Sequence, residues 1–321
     1  MKKLLYFISL IIAASCCFSC NDTEETAPQE DSTALRIAVL PSYECLPFYY
    51  ADSLGLFDSL GVSVKLITFD AAMDADTAFV NGDVDGIVSD LVKASIWRGN
   101  GDSVKVVMGG DIKMYLVTSQ NARIMKTASI KEKIIAITRF SCVDYFTDKL
   151  LESVSLTPTD LNKPQINNLV LRCQMVDQNQ YDGAIMTEPY ASEAVARGAR
   201  RLSCSSDMNI PLMAFVFTDS TTIARKSDIQ KVIKAYDMAV ESLNSDTLIT
   251  NVLSFIPKEN TVFLPDTLFT PYKLAKAELP KKEVMQAVQK WTTTKKWVGE
   301  KKALQQRMVD YSELIDSTFI K

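Results

Sequence analysis

Two well-separated segments follow one pattern, and this pattern constrains the fold more than any other feature. Residues 83–90 (DVDGIVSD) and 180–188 (QYDGAIMTE) each have an Asp-Gly pair, a short apolar run and then a carboxylate. An Asp-Gly turn before an apolar run is typical of the start of a central parallel strand. In open α/β sheets, ligands bind beyond the carboxyl ends of the strands, where the terminal acids Asp90 and Glu188 would lie. The sequence therefore predicts two similar lobes facing one cleft, with chance recurrence of a common turn as the alternative.

Strands alternate with helices on both sides of this repeat, as is typical of parallel sheets. Strands are predicted at residues 35–40, 62–69, 86–90, 104–108, 133–138, 164–168 and 183–187. Helices are predicted at residues 46–54, 70–80, 91–98, 143–153, 169–175, 189–197, 226–243, 284–291 and 301–315, with Asp70 as the N-cap of the second. The extended runs 115–119 and 212–218 are predicted to be two crossings between the lobes.

The N-terminus is predicted to be a leader outside the fold. Lys2 and Lys3 precede an apolar stretch that is too short to span a membrane as a stable helix. This pattern predicts that residues 1–19 are a signal peptide. The cysteines that follow resemble the acylation site of bacterial lipoproteins. Cys20 is the expected lipidation site, with Cys16 as the alternative. Residues 20–34 are polar and predict a flexible, lipid-anchored tether.

The chain contains no histidine. A Ser-His-Asp triad and a Cys-His pair both need an imidazole, so neither can be built from this sequence. Zinc sites with histidine ligands are excluded for the same reason. Carboxylates and lysines remain, but they show no known catalytic spacing. The composition therefore favours binding over catalysis, and it predicts neither a metal nor a cofactor.

Length, charge and cysteine content limit the number of cores, the partners and the disulfides expected of residues 35–321. Residues 35–321 are long enough for more than one core. The formal net charge is -4 and no basic patch is present, so nucleic acid is not an expected partner. The cysteines of this part are Cys45, Cys142, Cys173 and Cys204. In an exported chain they can form disulfides, and buried free thiols are the alternative.

Three stretches resemble the solute-binding proteins of ABC importers. They are residues 35–57 (LRIAVLPSYECLPFYYADSLGLF), 81–91 (NGDVDGIVSDL) and 181–192 (YDGAIMTEPYAS). The similarity is to the nitrate, alkanesulfonate, taurine and thiamine-precursor branch, and residues 286–320 also look like the C-terminal helices of that family. The turn Glu188-Pro189-Tyr190 is the most specific part of the resemblance.

The resemblance implies an α/β fold of two Rossmann-like lobes joined by two crossing strands, which is the type II periplasmic binding protein fold. Such a protein closes on its ligand by a hinge motion. We expect a discontinuous lobe 1 of residues 35–119 and 219–321, and a lobe 2 of residues 120–218. The ligand would be held by helix N-termini, whose free N–H groups favour electron-rich groups.

Eight residues near the predicted carboxyl ends of strands are candidates for ligand contact: Ser42, Tyr43, Ser89, Asp90, Arg139, Ser141, Glu188 and Tyr190. Arg139 is the candidate partner of a ligand anion, with a solvated surface arginine as the alternative. Glu188 has the strongest case, because it follows an apolar strand and the resemblance agrees. Asp90 and Ser141 have helix capping as an alternative role. Two carboxylates in a closed cleft disfavour an inorganic anion, because like charges there are costly.

The leading interpretation is a monomeric, lipid-anchored binding protein at the periplasmic or extracytoplasmic face of the cell envelope. It would deliver a small organic ligand, such as a nitrogen heterocycle or a small organic anion, to an ABC permease. A ligand-sensing lipoprotein without a transport role is one alternative. An enzyme of thiamine-pyrimidine synthesis is less favoured, because the eukaryotic synthases with this fold use a histidine and a cysteine-rich motif. The run CCFSC at residues 16–20 is superficially similar to that motif but lies in the leader.

Overall fold

The structure, a computed structural model, describes residues 33–245, 252–257, 269, 271–295 and 307–320. The predicted signal peptide, the lipidation site Cys20 and most of the tether lie outside these residues. The described residues from Ala34 onward form one compact unit. Within the described ranges, no helix is both long enough and apolar enough to cross a membrane.

The described residues form two sheets. The strands are β1 (Leu35–Val39), β2 (Val64–Thr68), β3 (Gly86–Asp90), β4 (Val104–Gly110), β5 (Tyr115–Thr118), β6 (Ile135–Ala136), β7 (Gly183–Met186), β8 (Arg200–Cys204) and β9 (Met213–Thr218). The first sheet has the order β2-β1-β3-β9-β4, and the second has the order β6-β7-β5-β8. We call the first sheet with its helices lobe 1 and the second sheet with its helices lobe 2. The predicted two-lobed α/β fold is confirmed.

Helices cover both sheets. They are α1 (Leu46–Ser53), α2 (Leu56–Ser59), α3 (Ala72–Asn81), α4 (Leu91–Asn100), α5 (Cys142–Ser153), α6 (Leu169–Asp177), α7 (Tyr190–Ala196), α8 (Asp219–Ala224), α9 (Lys226–Ser245), α10 (Lys282–Thr294) and α11 (Tyr311–Leu314). The prediction of a helix over 301–315 is wrong for residues 307–310, which are not helical, and residues 301–306 lie outside the described ranges.

The predicted N-cap of the helix after β2 is also wrong. Ala71, not Asp70, occupies the N-cap position of α3, with an extended backbone. Ala71 forms an isolated antiparallel bridge with Asn168 of lobe 2. This pairing holds Ala71 in an extended conformation, so the helix begins one residue later than the sequence predicts.

One strand in each sheet runs against the others. β9 is antiparallel to β3 and β4, and β5 is antiparallel to β7 and β8. Residues 111–114 connect β4 to β5, and residues 205–212 connect β8 to β9. The two runs predicted as crossings are therefore β5, with which the chain enters the second sheet, and β9, with which it returns to the first. Each of these two connections starts at the carboxyl end of a parallel strand, so these ends of the two sheets face each other. The exact limits of the lobes stay a prediction.

The aspartate of each Asp-Gly unit holds the start of a neighbouring parallel strand. Asp85 accepts a hydrogen bond from the backbone N–H of Arg36, at 2.8 Å. Asp182 accepts one in the same way from the backbone N–H of Ile134, at 2.9 Å. A backbone N–H group near the start of a strand needs a partner, and a side-chain carboxylate supplies one at both places. The repeat in the sequence therefore reflects equivalent positions in the two sheets.

The glycine of each unit allows the antiparallel strand to approach closely. A Cβ atom on Gly183 would lie 2.5 Å from the backbone oxygen of Val117 in β5. A Cβ atom on Gly86 would lie 2.3 Å from the ring of Phe217 in β9. Both distances are far below van der Waals contact. The two glycines are therefore needed for packing between strands.

Replacing Gly183 by alanine should lower the free energy of unfolding by about 1–3 kcal/mol. The added methyl group meets a backbone oxygen, which cannot move without disturbing the pairing of β5 with β7. Urea denaturation would measure the loss. The control is Val80→Ala, at a position that is 61% exposed, with an expected change within about 0.5 kcal/mol. Equal stabilities of the two variants would contradict the packing argument.

Aromatic packing fixes the position of α1 on the first sheet. Phe48 of α1 contacts Phe215 of β9, with ring centroids 5.2 Å apart, and Tyr236 of α9, at 5.0 Å. Phe215 in turn contacts Phe217 at 4.6 Å. All four side chains are buried. This cluster holds the junction of β1 and α1 rigidly, and that junction faces the second lobe.

Candidate functional site

A cavity lies where the carboxyl ends of the strands of the two lobes face each other. The space in it that the centre of a solvent molecule can occupy is about 70 Å³, and the empty volume, which includes open solvent at its mouth, is about 650 Å³. Most of its surface is apolar, with side chains that include Leu40, Ile87, Ile112, Val143 and Leu169. The polar lining consists of Glu44, Asp76, Ser89, Asp90, Lys93, Thr138, Ser141, Arg172 and Thr187.

Three of the predicted ligand contacts line this cavity: Ser89, Asp90 and Ser141. The Asp90 carboxylate accepts hydrogen bonds from the backbone N–H groups of Val92, at 2.9 Å, and Lys93, at 3.0 Å, and so caps α4. Ser141 Oγ accepts from the backbone N–H of Val143 at 3.2 Å and caps α5. Burial raises the pKa of Asp90. The N-termini of α4 and α5 therefore border the cavity with their caps in place.

Four other predicted residues lie at a contact between the lobes. The backbone N–H of Tyr43 donates to the carbonyl oxygen of Glu188 at 2.9 Å. The hydroxyl of Tyr190 donates to the carbonyl oxygen of Pro41 at 3.1 Å. Ser42 Oγ is buried beside this contact and has no hydrogen-bond partner in the described residues. The loop after β1 and the loop after β7 therefore touch, and the lobes are closed on each other.

The Glu188 side chain is bonded inside lobe 2. It is 2% exposed and does not line the cavity. One carboxylate oxygen accepts from the backbone N–H of Ser192 at 3.0 Å, and the other from the guanidinium of Arg201 at 2.6 Å. Arg201 also lies over the ring of Tyr115, 4.0 Å from its centroid. A direct ligand contact by Glu188 stays a prediction, and its neighbour Thr187 lines the cavity instead.

Arg139 lies at a second opening beside the cavity. It is exposed, and its guanidinium donates to the carbonyl oxygen of Lys163 at 3.0 Å. The second opening shares Asp76, Lys93 and Thr138 with the main cavity. Arg139 thus lines a neighbouring pocket and not the main cavity, and its pairing with a ligand anion stays a prediction.

Arg172, the buried cation of the cavity, is not among the residues predicted from the sequence. It is 1% exposed, and its guanidinium donates to the carbonyl oxygens of Ile166 and Ile185 and to the hydroxyl of Thr138. Burial lowers its pKa to about 10. Among the described residues, no carboxylate forms an ion pair with it. An arginine within the mostly apolar run LVLRCQMV was the signal available in the sequence.

Glu44 is also absent from the predicted set, although it adjoins the predicted contacts after β1. Glu44 is buried, and burial raises its pKa to about 7; its own backbone and the nearby Ser42 hydroxyl oppose this rise, whereas Asp111 and Glu188 add to it. Its Oε2 atom has no hydrogen-bond partner among the described residues. Another acid of the cavity, Asp76, is paired with Lys93. The site thus combines an apolar surface, helix N-termini and a buried carboxyl group with one oxygen that has no hydrogen-bond partner among the described residues.

A model of the NMT1-like family matches residues 28–254. The chain belongs to the NMT1-like family.

Relatives of this NMT1-like protein are binding proteins of ABC importers. A Brachyspira hyodysenteriae protein named as an ABC transporter periplasmic binding protein is 21% identical over 267 residues, covering 77% of this chain and 76% of the relative. The ligand-binding component of an ABC-type import system from Staphylococcus aureus has a TM-score of 0.71 and 13% identity, over 89% of this chain and 97% of that chain. The alkanesulfonate-binding protein of Xanthomonas axonopodis pv. citri has a TM-score of 0.70 and 15% identity, over 81% and 91%. These structures show that the fold is that of periplasmic binding proteins.

The cysteines in the described part of the NMT1-like protein are free thiols: Cys45, Cys142, Cys173 and Cys204. Cys45 and Cys142 line the cavity. Burial raises the pKa of Cys45 to about 12 and that of Cys142 well above its usual value, so both are protonated at neutral pH. In the described part of the chain, no group of three or more histidine, cysteine, aspartate or glutamate residues is arranged to hold a metal ion.

Proposed function

We propose that this NMT1-like protein is the solute-binding component of an ABC import system, and that it delivers a small organic molecule to a permease at the extracytoplasmic face. The observation that carries the proposal is a mostly apolar cavity enclosed between two lobes that touch around it. Enclosure removes a solute from water and strengthens each polar contact with it. The relatives named as binding proteins of ABC importers support the same role.

The cavity lining favours an organic solute over an inorganic anion. Three carboxyl groups line it, against the two cations Lys93 and Arg172. Lys93 is already paired with Asp76, so its charge is neutralised inside the protein. An inorganic anion gains nothing from apolar walls, whereas a small organic molecule buries its own apolar surface against them.

We also propose that the mature chain is a monomer held at the membrane by a lipid on Cys20. The leader and the polar tether support this anchor, with Cys16 as the alternative site. A single tethered copy suits a protein that must reach a permease and release its solute. Residues 1–32 lie outside the described ranges, so this part of the proposal rests on the sequence.

Native mass spectrometry of the protein extracted from membranes tests these proposals together. We expect one small organic molecule bound per chain and a diacyl or triacyl adduct on Cys20. Removing the bound molecule should increase the radius of gyration in solution scattering, because the hinge opens. Cys20→Ser should release the chain from the membrane, while the control Cys16→Ser should not. A native chain with no bound molecule and no response to candidate solutes would reject the solute-binding role, and an adduct on Cys16 would correct the anchor.

A further inference from the structure

Most polar groups that line the cavity have a partner inside the protein. Asp90 caps α4, and Asp76 pairs with Lys93. Two lining atoms are buried and have no hydrogen-bond partner in the described residues: Glu44 Oε2 and Thr187 Oγ1. Buried polar atoms are almost always bonded, because leaving one unpaired costs free energy. A solute that supplies the missing partners explains both atoms.

These two side chains belong to different lobes and are more than nine-tenths buried. Glu44 follows β1 and is 6% exposed, whereas Thr187 follows β7 and is 7% exposed. A solute bonded to both would connect the lobes directly. Such a solute would stabilise the closed state, because both bonds can form only when the lobes meet around it.

The surroundings of Glu44 determine which chemical group it can bind. An ionised carboxylate only accepts hydrogen bonds, so its partner must be a donor. Burial raises the pKa of Glu44, its own backbone and the Ser42 hydroxyl oppose the rise, and the nearby acids Asp111 and Glu188 add to it. An anionic group here would add another like charge, whereas an N–H donor, above all a cationic one, would reduce the repulsion.

We propose that Glu44 is a ligand-binding residue that accepts a hydrogen bond from an N–H group of an organic amine or nitrogen heterocycle. The apolar body of this molecule lies against Leu40, Ile87 and Val143, and Thr187 provides a second polar contact. The inference rests on the proposed solute-binding function and names the class of solute. A hydrogen bond between the donor and the charged carboxylate makes Glu44 a main determinant of selectivity.

Three probes of nearly equal size distinguish a cationic N–H donor, a neutral hydroxyl group and an anion at this position: benzylamine, benzyl alcohol and benzoate. Calorimetric titration of the mature protein, freed of copurified molecules, should show that benzylamine binds most tightly. Glu44→Gln keeps the shape of the side chain and should weaken benzylamine binding about 10–100-fold, with little change for benzyl alcohol. Binding of benzylamine near pH 6 should also release protons from the wild-type protein but not from Glu44→Gln, because the cation favours the ionised carboxylate.

Glu193→Gln is the matched control. Glu193 is also a buried glutamate, but it pairs with Arg197 and does not line the cavity, so benzylamine affinity should not change. Equal affinity in Glu44→Gln and wild type, tighter binding of benzoate, or no benzylamine binding at millimolar concentration would each overturn the inference. The proposed function has a separate readout in the molecule that copurifies, so it can stand if the Glu44 assignment fails.

Discussion

Replacing Lys295 by methionine should destabilise the closed form by about 3 kcal/mol, the cost of removing one partner from a buried ion pair. Lys295 lies 2.7 Å from both Asp144 and Asp148 of α5 in lobe 2. It follows α10, which packs against α4 of lobe 1. Trp291 of α10 adds a hydrogen bond from its indole N–H to Asp148, at 2.9 Å. These contacts join the two lobes away from the cavity, so their loss should open the cleft.

For a solute that binds only the closed form, this change should weaken the affinity by up to ~100-fold. Calorimetry with the copurified solute and solution scattering of the unliganded protein would measure the two effects. The matched control is Lys163→Met. Lys163 contacts Asp144 at 2.9 Å and Asp148 at 2.7 Å, as Lys295 does, but Lys163 belongs to lobe 2. We expect Lys163→Met to lower stability without opening the cleft. Equal solute affinities and equal radii of gyration for the two variants would show that Lys295 does not hold the lobes together.

The unliganded protein should lose about 2–3 kcal/mol of stability through Glu44 alone between pH 5 and pH 8. Burial raises the pKa of Glu44 to about 7, well above that of an unfolded chain. The folded state therefore binds this proton more tightly than the unfolded state does. The contribution to stability is greatest below the unfolded pKa, falls as the pH rises towards 7, and is constant above it.

Urea denaturation of wild type and Glu44→Gln at a series of pH values would measure this effect. The chain has no histidine, so the usual source of pH dependence in this range is missing. Asp76 contributes in the same direction, because burial raises its pKa to about 6 despite its partner Lys93. The difference between the stability–pH curves of wild type and Glu44→Gln gives the contribution of Glu44 alone. At pH 8 the Glu44→Gln variant should be the more stable protein. A variant that is less stable at pH 8 would show that the carboxylate is bonded in the native state.

Local signals in the sequence were sufficient for most elements of the fold. Apolar periodicity located most strands and helices, and the Asp-Gly repeat located β3 and β7 at equivalent positions in the two sheets. The predicted strand at residues 164–168 is wrong, because this segment forms only isolated bridges, at Gln165 and Asn168. The edge strand β8 was missed, because its residues Arg200 and Arg201 break the apolar pattern that a more buried strand shows. The N-cap of α3 was misplaced because Ala71 pairs with Asn168, a residue far away in the sequence.

The cavity lies at the carboxyl ends of the strands, where the sequence predicted the ligand cleft, but only three of the eight predicted residues line it, and ligand contact itself stays a prediction. Ser89, Asp90 and Ser141 line the cavity as the sequence suggested. Glu188 resembles Asp90 in the sequence, yet its carboxylate is bonded to Arg201 of the edge strand β8. No local pattern indicated this partner, because β8 itself was not recognised.

The sequence by itself determined the α/β class, the two-lobed plan and the absence of histidine chemistry, because these depend on composition and on patterns within a few residues. Only the tertiary structure decided the reversed direction of β5 and β9 and the choice of Glu44, Thr187 and Arg172 as cavity residues. The direction of a strand depends on where the chain enters its sheet. The direction of a side chain after a strand depends on which distant groups offer it a bond, and neither is encoded in the local pattern.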